Sequence, residues 1–206
     1  MINNNYQQRI VSAIKKQADR YPSAKKQAVA LDISPAQLSK IKQGKFEKVL
    51  AEAKWVTLGR KLGVEINPGI EWNTARTPAF EAITAQLESC QRLSIAAVLC
   101  DVTDLGKTHT AKMYVRQHKN TVYIDCSQVK SKQLFVRQIA QEFGVDHTGK
   151  YVEVYQDLTY YLRSIDRPLV ILDEAGDLKM EAFLELKALW NATERSCGWY
   201  MMGADG

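Results

Sequence analysis

Cysteine is scarce in this sequence, and its four cysteines are scattered. Cys90, Cys100, Cys126 and Cys197 form no CxxC pair. This pattern argues against a zinc site and against a disulfide framework, and it is typical of a reducing cytoplasm. We therefore expect a cytoplasmic protein stabilised by an apolar core, for which the hydrophobic content of 46% is sufficient.

Long hydrophobic runs are also missing. No apolar stretch approaches the roughly 20 residues that cross a bilayer. The first residues, Met1 to Asn5, have neither the basic end nor the apolar stretch of a signal peptide. Internal repeats and low-complexity segments are absent from the sequence as well. We therefore expect no membrane partner. The length of 206 residues is sufficient for one large domain or for a small domain joined to a medium one.

Charge is distributed unevenly along the chain. Residues 1–70 carry 13 Lys and Arg against 5 Asp and Glu, whereas residues 71–206 carry 15 against 18. The first third therefore has a balance of +8, and the remainder has one of −3. An ordinary basic surface would produce such a balance, but the asymmetry indicates the first third as a contact for a polyanion.

Residues 6–63 have helical spacing throughout. We expect four helices, one closed by Pro22, one over residues 23–31, one over 34–44 and one over about 46–62. Ser34 and Pro35 supply a capping hydroxyl and a first-turn proline to the third helix. A turn at Asn67-Pro68-Gly69 and a packing tryptophan, Trp72, then predict a linker over residues 66–77.

From residue 78 onward, helices alternate with apolar strands. Strands separated by helices predict a parallel sheet covered on both faces. The first strand, Ile95–Leu99, is expected to be buried. The sequence therefore predicts an α/β core over residues 78–206, preceded by a small all-α domain over residues 1–65. The further strands are expected at residues 121–125, 168–172 and 199–202.

A phosphate-binding motif follows the first strand. The consensus P-loop is GxxxxGK[ST], and Gly106-Lys107-Thr108 match its last three positions. Such a loop binds phosphates with backbone N–H groups at a helix N-terminus. Lys107 would reach the β- and γ-phosphates of ATP, and the hydroxyl of Thr108 would hold Mg²⁺. The predicted nucleotide-binding residues are Asp104, Leu105, Gly106, Lys107, Thr108 and His109.

This loop departs from the consensus at two positions. Asp101 stands at the first glycine, and Asp104 stands where the GxxGxGKT form has another. Each carboxylate would lie near a tri-anion, and neither residue adopts a positive φ as freely as glycine.

A second motif supports the first. The apolar segment 168–172 ends in Asp173 and Glu174, and Asp173 lies 66 residues beyond Lys107. This is the Walker B arrangement, in which Asp173 would bind the magnesium shell and Glu174 would polarise the attacking water. A strand that ends at a solvated acidic loop is the alternative. We interpret Glu174 and Lys107 as catalytic, and Thr108 and Asp173 as metal-binding.

Residues 27–44 resemble the helix-turn-helix of the Cro-like phage repressors. Small Ala28 suits a close crossing of two helices, and Asp32 stands where that family commonly has glycine. The resemblance implies double-stranded DNA as a partner, with the second helix facing it. A helical hairpin with a solvated basic face is the alternative. The predicted DNA-binding residues are Ser34, Gln37, Ser39, Lys40, Lys42 and Lys45.

The order of a repressor-like helix-turn-helix, a linker and an AAA+-type core is similar to that of the transposition ATPases related to the phage Mu B protein. The specific residues are Gly106-Lys107-Thr108, Leu172-Asp173-Glu174 and segment 27–44. The resemblance implies an ATP-dependent DNA-binding protein that selects target DNA and stimulates a transposase. It also implies that ATP drives assembly of homo-oligomers on DNA.

The sequence stops where that family would carry sensor 1. The sensor would fall near Ala204 or Asp205, and neither is the usual Asn or Thr. No sequence follows for a fifth strand, an arginine finger or a lid, so we expect weak ATP hydrolysis. Two alternatives stay open: a non-hydrolysing DNA-binding regulator whose degenerate P-loop domain senses nucleotide or forms an assembly surface, and a plasmid-maintenance ATPase.

Overall fold

The computed structural model describes residues 2–66, 73–129 and 131–204. The chain divides into two units, Met1–Thr74 and Ala75–Gly206. The expected turn at residues 67–69 and Trp72 lie outside the described residues. None of the helices in the described ranges has both the length and the apolarity to cross a membrane.

The first unit is helical, with elements α1 (Asn4–Lys16), α2 (Ala24–Ala30), α3 (Pro35–Lys42) and α4 (Glu52–Leu62). Side chains at helical spacing, such as Ile10 and Ile14, are buried in one apolar core. Asp32 occupies the turn between α2 and α3 with φ of 55°. Its carboxylate pairs with Nζ of Lys54 at 2.8 Å, which holds the turn against α4.

Two helix boundaries differ from the sequence expectation. Helix α1 ends at Lys16, and a short 3-10 turn, Ala18–Arg20, follows before Pro22. Helix α4 begins at Glu52 instead of Phe46, because Lys48 adopts φ of 52° and interrupts any helix there. The ring of Phe46 packs edge-on against Trp55 at 5.7 Å between centroids. The segment before α4 thus contributes to the core as a turn.

The second unit is an α/β domain with a four-stranded parallel sheet, which confirms the predicted fold class. Its strands run in the order β1-β4-β3-β2. They are β1 (Ala96–Asp101), β2 (Thr121–Asp125), β3 (Leu169–Asp173) and β4 (Gly198–Ala204). The helices are α5 (Pro78–Leu93), α6 (Lys107–Gln117), α7 (Lys132–Glu142), α8 (Tyr151–Ser164) and α9 (Met180–Ala192).

Helices cover both faces of this sheet. Leu169 and Ile171 of β3 join the core formed with α5 and α6. Val170 and Leu172, which alternate with them, join the core formed with α7, α8 and α9. Because all four strands are parallel, their carboxyl ends lie at one edge of the sheet. The phosphate-loop segment, which follows β1, and the acidic segment, which ends β3, both lie at this edge.

Burial of the first strand was predicted wrongly. Strand β1 pairs with β4 and stands at one end of the strand order. Val98 at its centre is 64% exposed. An apolar run predicts a buried strand only when the strand has neighbours on both sides, and the local sequence does not contain the strand order.

Candidate functional site

The phosphate-loop segment lies between β1 and α6 at the carboxyl edge of the sheet. Asp104 and Gly106 both adopt left-handed conformations, with φ of 67° and 78°. A Cβ added at Gly106 would meet nothing within 4 Å, so the positive φ, and not crowding, is what favours glycine there. Helix α6 starts directly after Gly106 without a side-chain cap. The residues of its first turn, Lys107 to His109, line the cavity described below, and the first N–H groups of a helix have no partner within it.

Lys107 is folded inward. Its side chain is 8% exposed. Its Nζ donates hydrogen bonds to the main-chain oxygens of Asp101, at 2.6 Å, and of Val102, at 3.0 Å. These carbonyls satisfy the ammonium within the loop, so a phosphate that bound Lys107 would have to replace them as acceptors.

Thr108 and Asp173 meet at this edge. The hydroxyl of Thr108 donates to Oδ2 of Asp173 at 2.6 Å. Asp173 is 2% exposed, and its Oδ1 accepts the N–H of Glu174 at 3.1 Å. The two segments that the sequence analysis interpreted as Walker A and Walker B are therefore in direct contact, although 65 residues separate the two side chains.

A cavity of about 550 Å³ opens in front of this contact. Its volume lies in the range of small-molecule sites. Glu174 lines it and is exposed, with a left-handed φ of 51° that turns the chain directly after Asp173. The cavity is lined by Thr103, Asp104, Gly106, Lys107, Thr108, His109, Lys112, Glu174 and Ala204. Leu105 is half-buried in the same loop and does not line it.

A second cavity, of about 670 Å³, lies at the opposite end of the sheet. Gln91, Tyr114 and Arg167 are among its lining residues. It is larger, but it contains neither the loop nor the acidic strand end. We therefore take the smaller cavity as the candidate site, because Lys107 and Thr108 of the phosphate loop line it together with Glu174 of the acidic strand end.

Tyr123 and Lys112 reach the site without having been predicted. The hydroxyl of Tyr123 donates to Oδ2 of Asp173 at 2.7 Å. Burial first, and then this hydrogen bond, raise the pKa of Tyr123 well above its usual value, so the phenol is protonated and donates. Nζ of Lys112 lies 5.0 Å from the centre of the Tyr123 ring. Alternation along β2 could have placed Tyr123 on the same face of the sheet as Asp173, but only if β2 had been known to pair with β3.

The residues predicted to bind DNA differ in their contacts and in their exposure. Ser34 and Gln37 form a capping box at the start of α3, and Nε2 of Gln37 also donates to the main-chain oxygen of Val49 at 3.1 Å. Nζ of Lys42 donates to Oε1 of Gln27 at 2.8 Å. These side chains support the helix pair. The exposed members of the set are Ser34, Ser39, Lys40 and Lys45.

Comparison with known proteins covers the second unit. A model of the AAA domain family matches residues 96–205. The match begins with β1 and extends past the end of β4, so it includes the loop, the cavity and both acidic residues. No curated protein matches the chain.

Proposed function

We propose that this chain, which belongs to the AAA domain family, is an ATP-dependent DNA-binding protein of a mobile element. It would be an AAA+ ATPase that selects target DNA or delivers it to a transposase. The family, whose domains bind nucleotides, supports the nucleotide-binding part, and the other parts rest on the first unit and on the resemblance of residues 27–44 to a helix-turn-helix. The observation that carries the ATPase part is the 2.6 Å contact between Thr108 and Asp173 beside the cavity that Lys107 lines.

The side chains at this contact suit Mg²⁺. Thr108 and Asp173 offer hard oxygen ligands, which this ion prefers. Mg²⁺ at nucleotide sites is commonly bound by one or two protein groups together with substrate phosphates and water. A bound Mg²⁺ would neutralise charge on the β- and γ-phosphates. Lys107 would bind the same phosphates, and Glu174 would orient and polarise the attacking water.

Asp104 reduces nucleotide affinity in this proposal, because its carboxylate lines the cavity that would hold a tri-anion. Replacing Asp104 by Gly removes this charge and relieves a left-handed φ of 67°. We expect about fivefold tighter binding of ATP, with a gain that shrinks as salt is raised. Titration with a fluorescent ATP analogue at low and high salt measures both effects.

Ser94→Gly is the matched control for Asp104→Gly. Ser94 also has a left-handed φ, of 52°, but it ends α5 outside the cavity. Relief of backbone strain is common to both variants, whereas removal of charge is not. ATP affinity that is equal in Asp104→Gly and the wild type would contradict the electrostatic argument.

The DNA-binding part of the proposal rests on the first unit. Residues 1–70 have a balance of +8, and α3 presents Ser39 and Lys40 to solvent with Lys45 just beyond its end. Charge of this density favours phosphate contacts, which dominate affinity for duplex DNA. The capping box fixes the start of α3, and the hydrogen bond from Lys42 to Gln27 connects α3 to α2, as a helix that enters a groove requires.

Lys40→Ala tests this surface. Loss of one phosphate contact should lower the slope of log K against log salt by about 1 and weaken binding to all sequences alike. Fluorescence anisotropy of a labelled duplex, with and without ATP, measures this slope. Lys16→Ala removes an exposed lysine from α1 and serves as the control. Equal slopes for Lys40→Ala and the wild type, or affinity that ATP leaves unchanged, would contradict the proposed function.

A non-hydrolysing regulator is the second candidate. Asp104 in the cavity and the engagement of Lys107 by loop carbonyls both favour nucleotide sensing without turnover. Glu174 beside Asp173 opposes it, since a sensor needs no residue to polarise water. ATP turnover with and without duplex DNA separates the two. A transposase gene beside this one would favour a mobile element over plasmid maintenance, and sedimentation with ATP and DNA tests the proposed homo-oligomer.

A further inference from the structure

The Walker B carboxylate has two hydroxyl donors on one oxygen. Oδ2 of Asp173 accepts from Thr108 at 2.6 Å and from Tyr123 at 2.7 Å. Thr108 is exposed and belongs to the phosphate loop, while Tyr123 is half-buried within β2. If Thr108 turns its oxygen toward a metal ion, Tyr123 is the side-chain donor that stays on this oxygen.

The sheet brings Tyr123 to this place. Strand β2 pairs with β3 in parallel, so that Tyr123 lies opposite Ile171 and Asp125 lies opposite Asp173. Side chains two residues apart in a strand share a face. Tyr123, Ile171 and Asp173 are therefore on one face of the sheet. The Tyr123 side chain is long enough for its hydroxyl to reach Asp173, which lies two residues beyond Ile171.

Neighbouring groups restrain the phenol. Its ring packs at the edge of the apolar core that includes Ile171 and Tyr200. Nζ of Lys112 also lies 5.0 Å from the ring centroid. These contacts restrain the ring while its hydroxyl donates to Asp173, and a hydrogen bond to a carboxylate is stronger than one between neutral groups.

We propose that Tyr123 is a positioning residue that holds the carboxylate of Asp173 in the orientation needed for magnesium-dependent nucleotide binding. This inference rests on the proposed ATPase function. Free rotation of a carboxylate must be lost when it joins a metal shell, and Tyr123 removes that rotation in advance. The effect of Tyr123 is therefore confined to the gain in nucleotide affinity that Mg²⁺ provides.

Tyr123→Phe keeps the ring and removes the hydroxyl. Affinity for a fluorescent ATP analogue is measured with Mg²⁺ and with EDTA, and the ratio is the magnesium gain. We expect this gain to fall about tenfold in Tyr123→Phe, the size of a lost hydrogen bond to a charged group, while affinity in EDTA stays as in the wild type. A loss of folded protein lowers both affinities alike and leaves the ratio intact.

Tyr114→Phe is the matched control, because the hydroxyl of Tyr114 donates to Gln91 at 2.7 Å near the other end of the sheet. An unchanged magnesium gain in Tyr123→Phe, or an equal fall in Tyr114→Phe, would overturn the proposal. A second test repeats Tyr123→Phe in an Asp173→Asn background, where it should have no further effect. A further loss of magnesium gain in the Asp173→Asn background would show that Tyr123 acts independently of Asp173.

The failure of the proposed function is distinguishable from the failure of this inference. If the wild type bound no ATP analogue, or if Lys107→Ala bound it equally well, the nucleotide site itself would be wrong. If the wild type bound ATP through Lys107 and Tyr123→Phe had the same magnesium gain, only the positioning role of Tyr123 would be wrong.

Discussion

Lys107→Ala is expected to weaken ATP binding about 100-fold, or by about 3 kcal/mol, while the fold is retained. Lys107 is the cation that the loop places at the N-terminus of α6, with its Nζ 2.6 Å from the main-chain oxygen of Asp101. In the proposed complex its donors transfer to phosphate oxygens, and the variant loses those charge-assisted hydrogen bonds. Titration with a fluorescent ATP analogue and Mg²⁺ measures the change.

The fold should survive this substitution because Nζ of Lys107 donates to main-chain oxygens of the loop itself. Removal of its ammonium leaves the oxygens of Asp101 and Val102 without this donor. Asp101 is half-buried and Val102 is exposed, so water can replace the donor. Thermal unfolding should therefore stay within a few degrees of the wild type. Lys119→Ala, an exposed lysine at the other end of the sheet, controls for a general loss of charge. Equal ATP affinity in Lys107→Ala and the wild type would rule the site out.

The parts of the fold that local pattern determines were predictable. Strand β2 was expected over residues 121–125 and spans Thr121–Asp125, because apolar and β-branched residues are bounded there by turn residues. Helix α5 begins at Pro78, where the α/β core was expected to start, because Thr77 caps the helix and proline suits its first turn. Each of these signals lies within a few residues of the boundary that it specifies.

Features that depend on strand order were not predictable in the same way. The exposure of Val98 follows from the position of β1 at the end of the order. The contact of Tyr123 with Asp173 follows from the pairing of β2 with β3. A pattern of apolar residues specifies that a strand exists, but the neighbours of that strand are chosen by packing across the whole domain.

The predicted DNA-contact set shows a similar limit. Gln37 was predicted to bind DNA because it lies on the second helix of the segment that resembles a helix-turn-helix, which would face DNA. In the structure its side chain accepts from the N–H of Ser34 at 2.9 Å and donates to Val49 at 3.1 Å. A helical wheel gives direction but no information about the segment after α3, which supplies the second of these partners. Contact with DNA therefore stays a prediction for Gln37, and Lys40 is the better residue to test.

Glu174→Gln is expected to lower ATP turnover about 100-fold or more and to leave ATP affinity unchanged. Glu174 is exposed in the cavity directly after Asp173, so its carboxylate can act on a water molecule while Asp173 remains bonded to Thr108. Gln has nearly the same shape and side-chain length as Glu, and it would occupy the same left-handed backbone conformation, with φ of 51°. The variant therefore removes the base and little else. Phosphate release at saturating ATP, with and without duplex DNA, measures turnover.

Asp177→Asn provides the control, since Asp177 is an exposed carboxylate three residues further on that does not line the cavity. If ATP turnover falls in Glu174→Gln but not in Asp177→Asn, Glu174 is the residue that activates water. Equal turnover in both variants would contradict its catalytic role. Tight ATP binding with no turnover in the wild type, even on DNA, would favour the regulator. In that case Asp104 and Lys107 would explain why this domain binds its nucleotide without cleaving it.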